Sequence, residues 1–154
     1  MPNTFTQLYV HIVFAVKYRQ GLIRPEWEER LFRFINVFID RRQSKLIAVN
    51  GMPDHIHLLV SLHPGTSTSE LVRELKKATT AFIRQQGLTE VPFQWQSGYG
   101  AFSCSKAHAE HVRRYIHRQK AHHQQHAFRA EYVGLLRDYE VDFDPAYLFD
   151  FLDT

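Results

Sequence analysis

The chain has 154 residues, 44% of them hydrophobic and 14% aromatic, which suits a single domain over residues 1–154 with a real core and argues against disorder. No apolar run approaches the roughly 20 residues of a membrane span. No secretory signal pattern opens the chain, and a lone Cys104 cannot form an internal disulfide, so the expected compartment is a reducing cytoplasm. All 19 Lys and Arg but only 10 of the 16 acidic residues precede Asp138, giving residues 1–137 a balance of +9 before an acidic tail. That suits a polyanion partner, although a solvated basic surface would satisfy the same numbers.

Along the chain, "TQLYVHIVFAVKYR" is β-branched and aromatic, and predicts a buried strand over Gln7 to Lys17. Pro25 suits a first helical turn, and Trp27, Leu31, Phe34, Ile35 and Phe38 continue at helical spacing to about Arg42. "KLIAVNG" predicts a second strand, Gly51 to Asp54 a turn, and His55 to Leu62 a third strand paired as a hairpin. Ser67 and Glu70 have capping-box spacing for a second helix, which Gly87 ends. "FQWQSGYGAFSCS" predicts a fourth strand, with Gly98 and Gly100 marking a bulge or a close backbone approach. A long helix over Ser105 to His126 and another from Phe128 to about Tyr139 complete the order. The resulting β-α-β-β-α-β series predicts an α+β fold of the ferredoxin-like split βαβ type. Its four-stranded antiparallel sheet would be backed by two helices, with the C-terminal helices outside that unit.

Within "MPDHIHLLV", His55 and His57 share one strand face while Ile56, Leu58, Val60 and Leu62 share the other. Buried imidazoles need partners, and neutral imidazole is the commonest metal ligand. A hydrogen-bonded pair remains the alternative, and two ligands do not complete a site. On the helix from Ser105, the apolar stripe is thin, while His108, His111, Tyr115, Gln119 and His122 fall at three- and four-residue steps along one side. Taken singly, Tyr115 could be a packing-boundary tyrosine and Gln119 a solvated residue. His117, His122, His123 and His126 read as a polar surface.

Together, "MPDHIHLLV", "WQSGYGAFSCS" and "VRRYIHRQ", with the opening "YVHIVFAVKYR", resemble the single-tyrosine HUH transposases of the IS200/IS605 family, to about Tyr147. The resemblance implies His55, His57 and Gln119 as ligands of Mg²⁺ or Mn²⁺ and Tyr115 as nucleophile. It implies cleavage and rejoining of single-stranded DNA with imperfect hairpins through a 5′-phosphotyrosine. It also implies a homodimer whose tyrosine helix packs into the partner, which would account for the thin apolar stripe. Arg73, Lys76, Lys77, Arg84, Arg113, Arg114 and Arg118 are candidate phosphate contacts. Trp95, Tyr99 and Phe102 could stack on bases, with sheet packing as the alternative. His111 is a candidate acceptor for the tyrosine proton. A domesticated nicking and joining protein, a non-catalytic hairpin binder and a metal hydrolase using water are the competing functions.

Overall fold

The computed structural model describes residues 3–122 and 127–148, so the histidines expected at positions 123 and 126 and the acidic positions 150 and 153 lie outside the described residues. Strands β1 (Tyr9–Ala15), β2 (Lys45–Met52), β3 (His55–Ser61) and β4 (Gly100–Cys104) form one antiparallel sheet in the order β2-β3-β1-β4. Helices α1 (Pro25–Arg41) and α2 (Thr68–Gln85) supply the two crossovers. This is the split βαβ arrangement expected from the element order. Ser67 Oγ accepts from the Glu70 amide to start α2, and Gly87 follows its end with φ at +62°.

Period-two alternation divides the sheet. Ile12, Phe14, Ile56, Leu58 and Val60 pack with Leu31, Ile35, Ile39, Leu71, Leu75 and Ile83 of α1 and α2 in the main core. The opposite face carries His55, His57 and Leu59 of β3, and His11 of β1 opposite Leu59. Three further helices follow: α3 (Lys106–His117), the short α4 (Gln119–His122) and α5 (Phe128–Asp138). The thin stripe of α3, Ala109, Val112 and Ile116, meets Ala48 and Leu59 in a second, small core.

The long helix expected from Ser105 to His126 is interrupted at Arg118, which sits at φ −96° and ψ 13°. Tertiary contacts surround the break. Asn50 Nδ2 donates to the His117 carbonyl at 3.3 Å, and Lys120 Nζ donates to the Gly51 carbonyl at 2.8 Å and to Glu28. The edge strand therefore takes a carbonyl and an ammonium that a continuous helix would point along its own surface.

Helix α5 buries Phe128, Tyr132 and Leu136. Its approach depends on Gly100, where a Cβ would lie 2.8 Å from Tyr132 Cε1 and 2.9 Å from its hydroxyl. Gly134, on α5 itself, has nothing within 4 Å of an added Cβ. Gly100→Ala is therefore expected to cost about 1–3 kcal/mol by overpacking. Gly134→Ala should instead stabilise the chain by about 0.5–1 kcal/mol through helix propensity. Denaturant melts of the two variants check the contrast, and equal midpoints would refute it.

Candidate active site

The site grows from the histidine face of the sheet. His55 and His57 are fully buried, as is His11. Asp54 Oδ1 lies 2.7 Å from His55 Nδ1, and His11 Nε2 lies 2.9 Å from His57 Nδ1. Each ring of the pair is thus held through Nδ1, leaving Nε2 as the working atom, the arrangement common behind metal-binding imidazoles. Burial and the neighbouring His57 push His11 down to about 3, so His11 is neutral at physiological pH. Burial opposes a charge on His55, but its hydrogen bonds to Asp54 and Glu131 outweigh it and raise its pKa. Phe128 of α5 stacks flat on His55 at 3.7 Å between centroids and 7° between planes.

Both Nε2 atoms face one carboxylate oxygen. Glu131 Oε1 is 3.2 Å from His57 Nε2 and 3.5 Å from His55 Nε2. The other oxygen, Oε2, accepts from the Tyr115 hydroxyl and, at 3.0 Å, from Gln119 Nε2. The break at Arg118 leaves Tyr115 and Gln119 converging on one point. Burial, followed by the charge and hydrogen bond of Glu131, pushes the Tyr115 phenol well above the usual tyrosine range. The Tyr115 ring meets His57 edge-on at 5.8 Å between centroids. Beside it opens a cavity of about 680 Å³, lined by His11, His108, His111, Tyr115, Glu131 and Tyr139 among others. His111 is on that wall and stacks with His108, while the Tyr115 hydroxyl donates to Glu131.

His55, His57 and Glu131 present ligand atoms within 4.8 Å of one another. Gln119 is fully buried, and its Oε1 has no hydrogen-bond partner among the described residues. Imidazole nitrogens, a carboxylate and an orphaned amide oxygen fit a divalent cation such as Mn²⁺ or Mg²⁺. The sequence reading missed Glu131 and His11. Both left a signal: Glu131 sits at helical spacing among Phe128, Tyr132 and Leu135, and His11 interrupts the apolar β1 run.

The candidate DNA contacts separate into two groups. Trp95 is a correction, because it is buried, donates through Nε1 to Thr79 Oγ1 at 2.8 Å, and meets Phe14 and Phe93 edge-on. Lys76 is likewise committed internally: Nζ donates to the carbonyls of Gln96 and Gly98, and burial pushes its amine down to about 8. Arg84 donates through Nε to the Phe93 carbonyl. These residues pin the segment that precedes β4, which is why the strand is shorter than expected. Phe102 is buried and Tyr99 half-buried against the core. Arg73, Lys77, Arg114 and Arg118 are exposed; Arg113 pairs with Glu110, and Arg73 and Lys77 pair with Glu74 on α2, the helix that backs the sheet away from the histidines.

The four-stranded sheet carries the histidine pair on an inner strand, with the Tyr115 ring over it. The family model for IS200-like transposases matches residues 4–119, and the chain belongs to that family, which makes it a transposase. It is 27% identical over 118 residues to the ISDra2 transposase TnpA of Deinococcus radiodurans, covering 73% of this chain and 84% of that one. Two solved structures share the fold, each with a TM-score of 0.60. One, of a protein assigned as a transposase from Deinococcus radiodurans R1, is 22% identical over 76% of this chain and 94% of its own. The other, a REP-associated tyrosine transposase bound to a REP hairpin, is 18% identical over 79% of this chain and 72% of its own. Among the described residues, no helix is long and apolar enough to cross a membrane.

The Asp54–His55 contact predicts a measurable dependence. Asp54→Ala should weaken Mn²⁺ binding by about 10- to 100-fold, with the metal-free melting temperature changed by only a few degrees. Isothermal titration checks it, and unchanged affinity would dissociate Asp54 from the metal site.

Proposed function

We propose that the chain cleaves and rejoins single-stranded DNA at hairpin-bearing ends by metal-dependent transesterification, with Tyr115 as nucleophile and His55, His57 and Gln119 as metal ligands. The observation that carries the reading is the convergence of the Tyr115 hydroxyl, both imidazole Nε2 atoms and the Gln119 amide around one carboxylate.

Held there, a divalent ion would polarise a nonbridging phosphate oxygen and ease departure of the 3′-oxygen. Tyr115 attacks phosphorus, its phenolic oxygen forming the new O–P bond as the P–O3′ bond breaks. The product is a 5′-phosphotyrosine and a free 3′-hydroxyl. That hydroxyl, or another, reverses the step without ATP, because the covalent link conserves the bond energy. The raised phenol keeps the nucleophile protonated at rest. The Glu131 carboxylate, which accepts its hydrogen bond, takes its proton, and His111 stands on the wall of the same cavity. The exposed Arg114 and Arg118, on and just after the helix that carries Tyr115, supply backbone contacts that position DNA without reading its sequence. The relative captured on a REP hairpin supports a hairpin as substrate.

The site is proposed to act within one chain. Lys120 and Asn50 fasten the α3–α4 junction to its own sheet, and Tyr115 reaches histidines of the same chain. Any homodimer would then join two complete sites rather than share them.

Single-stranded oligonucleotides carrying hairpins, incubated with Mn²⁺ or Mg²⁺, should yield a protein–DNA adduct in denaturing gels. The adduct should vanish in Tyr115→Phe and fall by at least 100-fold in His57→Ala, while hairpin binding survives in both. An adduct that persists in Tyr115→Phe removes the nucleophile assignment, and cleavage without any adduct favours water as nucleophile. Mixing Tyr115→Phe with His57→Ala separates the two architectures. No recovery of adduct is expected, whereas restored activity would mean that sites are shared between subunits.

A further inference from the structure

The three metal ligands assigned so far, two imidazoles and an amide, carry no charge. A hard divalent ion brought from water into a buried pocket needs anionic oxygen as well as neutral donors. Helix α5 delivers such an oxygen. The Glu131 side chain is only 1% exposed, and its Oε1 lies 3.2 and 3.5 Å from the two Nε2 atoms. Neighbouring ligands around an ion at about 2.1 Å are separated by roughly 3.0–3.5 Å, from octahedral to tetrahedral geometry. The spacing already fits.

We propose that Glu131 is a metal ligand, coordinating through Oε1 alongside His55 and His57 and supplying the negative charge that the other donors lack. The inference rests on the metal-site reading above and deepens it. Glu131 lies beyond the segment matched by the family model, residues 4–119, so this ligand comes from a helix outside the matched core. Its second oxygen accepts from Tyr115 and Gln119, so one carboxylate ties the ion to the nucleophile. Coordination also has a mechanical consequence. Phe128 and Tyr132 of α5 already pack on His55 and over Gly100, and a bond from Glu131 to the ion clamps α5 to the sheet.

The full chain and Mn²⁺ alone test the proposal without DNA, by isothermal titration and by hydrogen–deuterium exchange over residues 128–138. The wild-type chain should bind one Mn²⁺, and Mn²⁺ should slow exchange in α5. Glu131→Gln, nearly the same shape without the charge, should bind Mn²⁺ at least tenfold more weakly and show no metal-dependent protection of α5. Glu131→Asp, charged but one methylene shorter, should fall between the two. Wild-type affinity in Glu131→Gln overturns the proposal, whatever its effect on cleavage. Unchanged α5 exchange when Mn²⁺ saturates the wild-type chain does the same, and needs no variant to fold. His57→Ala is the discriminating control. If it binds as tightly as wild type, or if wild type binds no Mn²⁺, the metal-site reading itself fails. If it loses the metal while Glu131→Gln keeps it, only the assignment of Glu131 fails.

Discussion

Imidazoles buried on the face of a central strand must each be given a partner for both ring nitrogens, and the second face of this sheet is organised around that demand. Asp54, at the turn entering β3, and His11, on the adjacent strand, take the two Nδ1 positions. Both Nε2 atoms are left facing one small volume. Filling that volume with polar groups and sealing it from water requires cover from outside the sheet. Helix α3 provides it on one side through Ala109, Val112 and Ile116, and α5 on the other through Phe128 and Tyr132. A buried polar network of this kind is stabilising only when its members are satisfied. Gln119 Oε1, buried and without a hydrogen-bond partner among the described residues, belongs to the amide whose Nε2 bonds Glu131.

The same economy governs the basic residues. Positive charge in the body of the chain is not a uniform coat. Lys76, Arg84 and Lys120 spend their donors on backbone carbonyls and hold the segment before β4 and the α3–α4 junction in place. Others, such as Arg114 and Arg118 at the end of α3, remain on the surface beside the site. Phosphate contacts belong with the second group, since an ammonium already bonded to two carbonyls would have to surrender them to reach DNA. Helix α5 adds a constraint of its own, because Phe128 stacks on His55 while Glu131, Gly134 and Leu135 line the cavity beside Tyr115.

Much of this arrangement was legible in the sequence, because it depends on periodicity. Alternation in β3 put both histidines on one face, capping chemistry placed the start of α2, and the glycine at position 100 marked a close approach. Helical spacing aligned Tyr115 with Gln119, although the helix breaks between them. What escaped depends on tertiary contacts. The interruption at Arg118 follows from Asn50 and Lys120, residues remote in sequence from one another. Trp95 looks like a stacking platform until Thr79 and the Phe14 and Phe93 rings claim it. Glu131 carried a local clue, an acid on an apolar helix stripe, but nothing local says that the stripe faces His55 and His57. The thin stripe of the tyrosine helix, Ala109, Val112 and Ile116, meets Ala48 and Leu59 in a small second core.

The central claim is that a single chain builds its metal centre on the histidine face of β3, within reach of its own tyrosine. Anomalous diffraction from crystals soaked in Mn²⁺ tests it most directly. The account predicts one strong peak at about 2.2 Å from Nε2 of both His55 and His57, with Tyr115 of the same chain beside it. A peak elsewhere, such as between His108 and His111, with none at the β3 histidines, would contradict it.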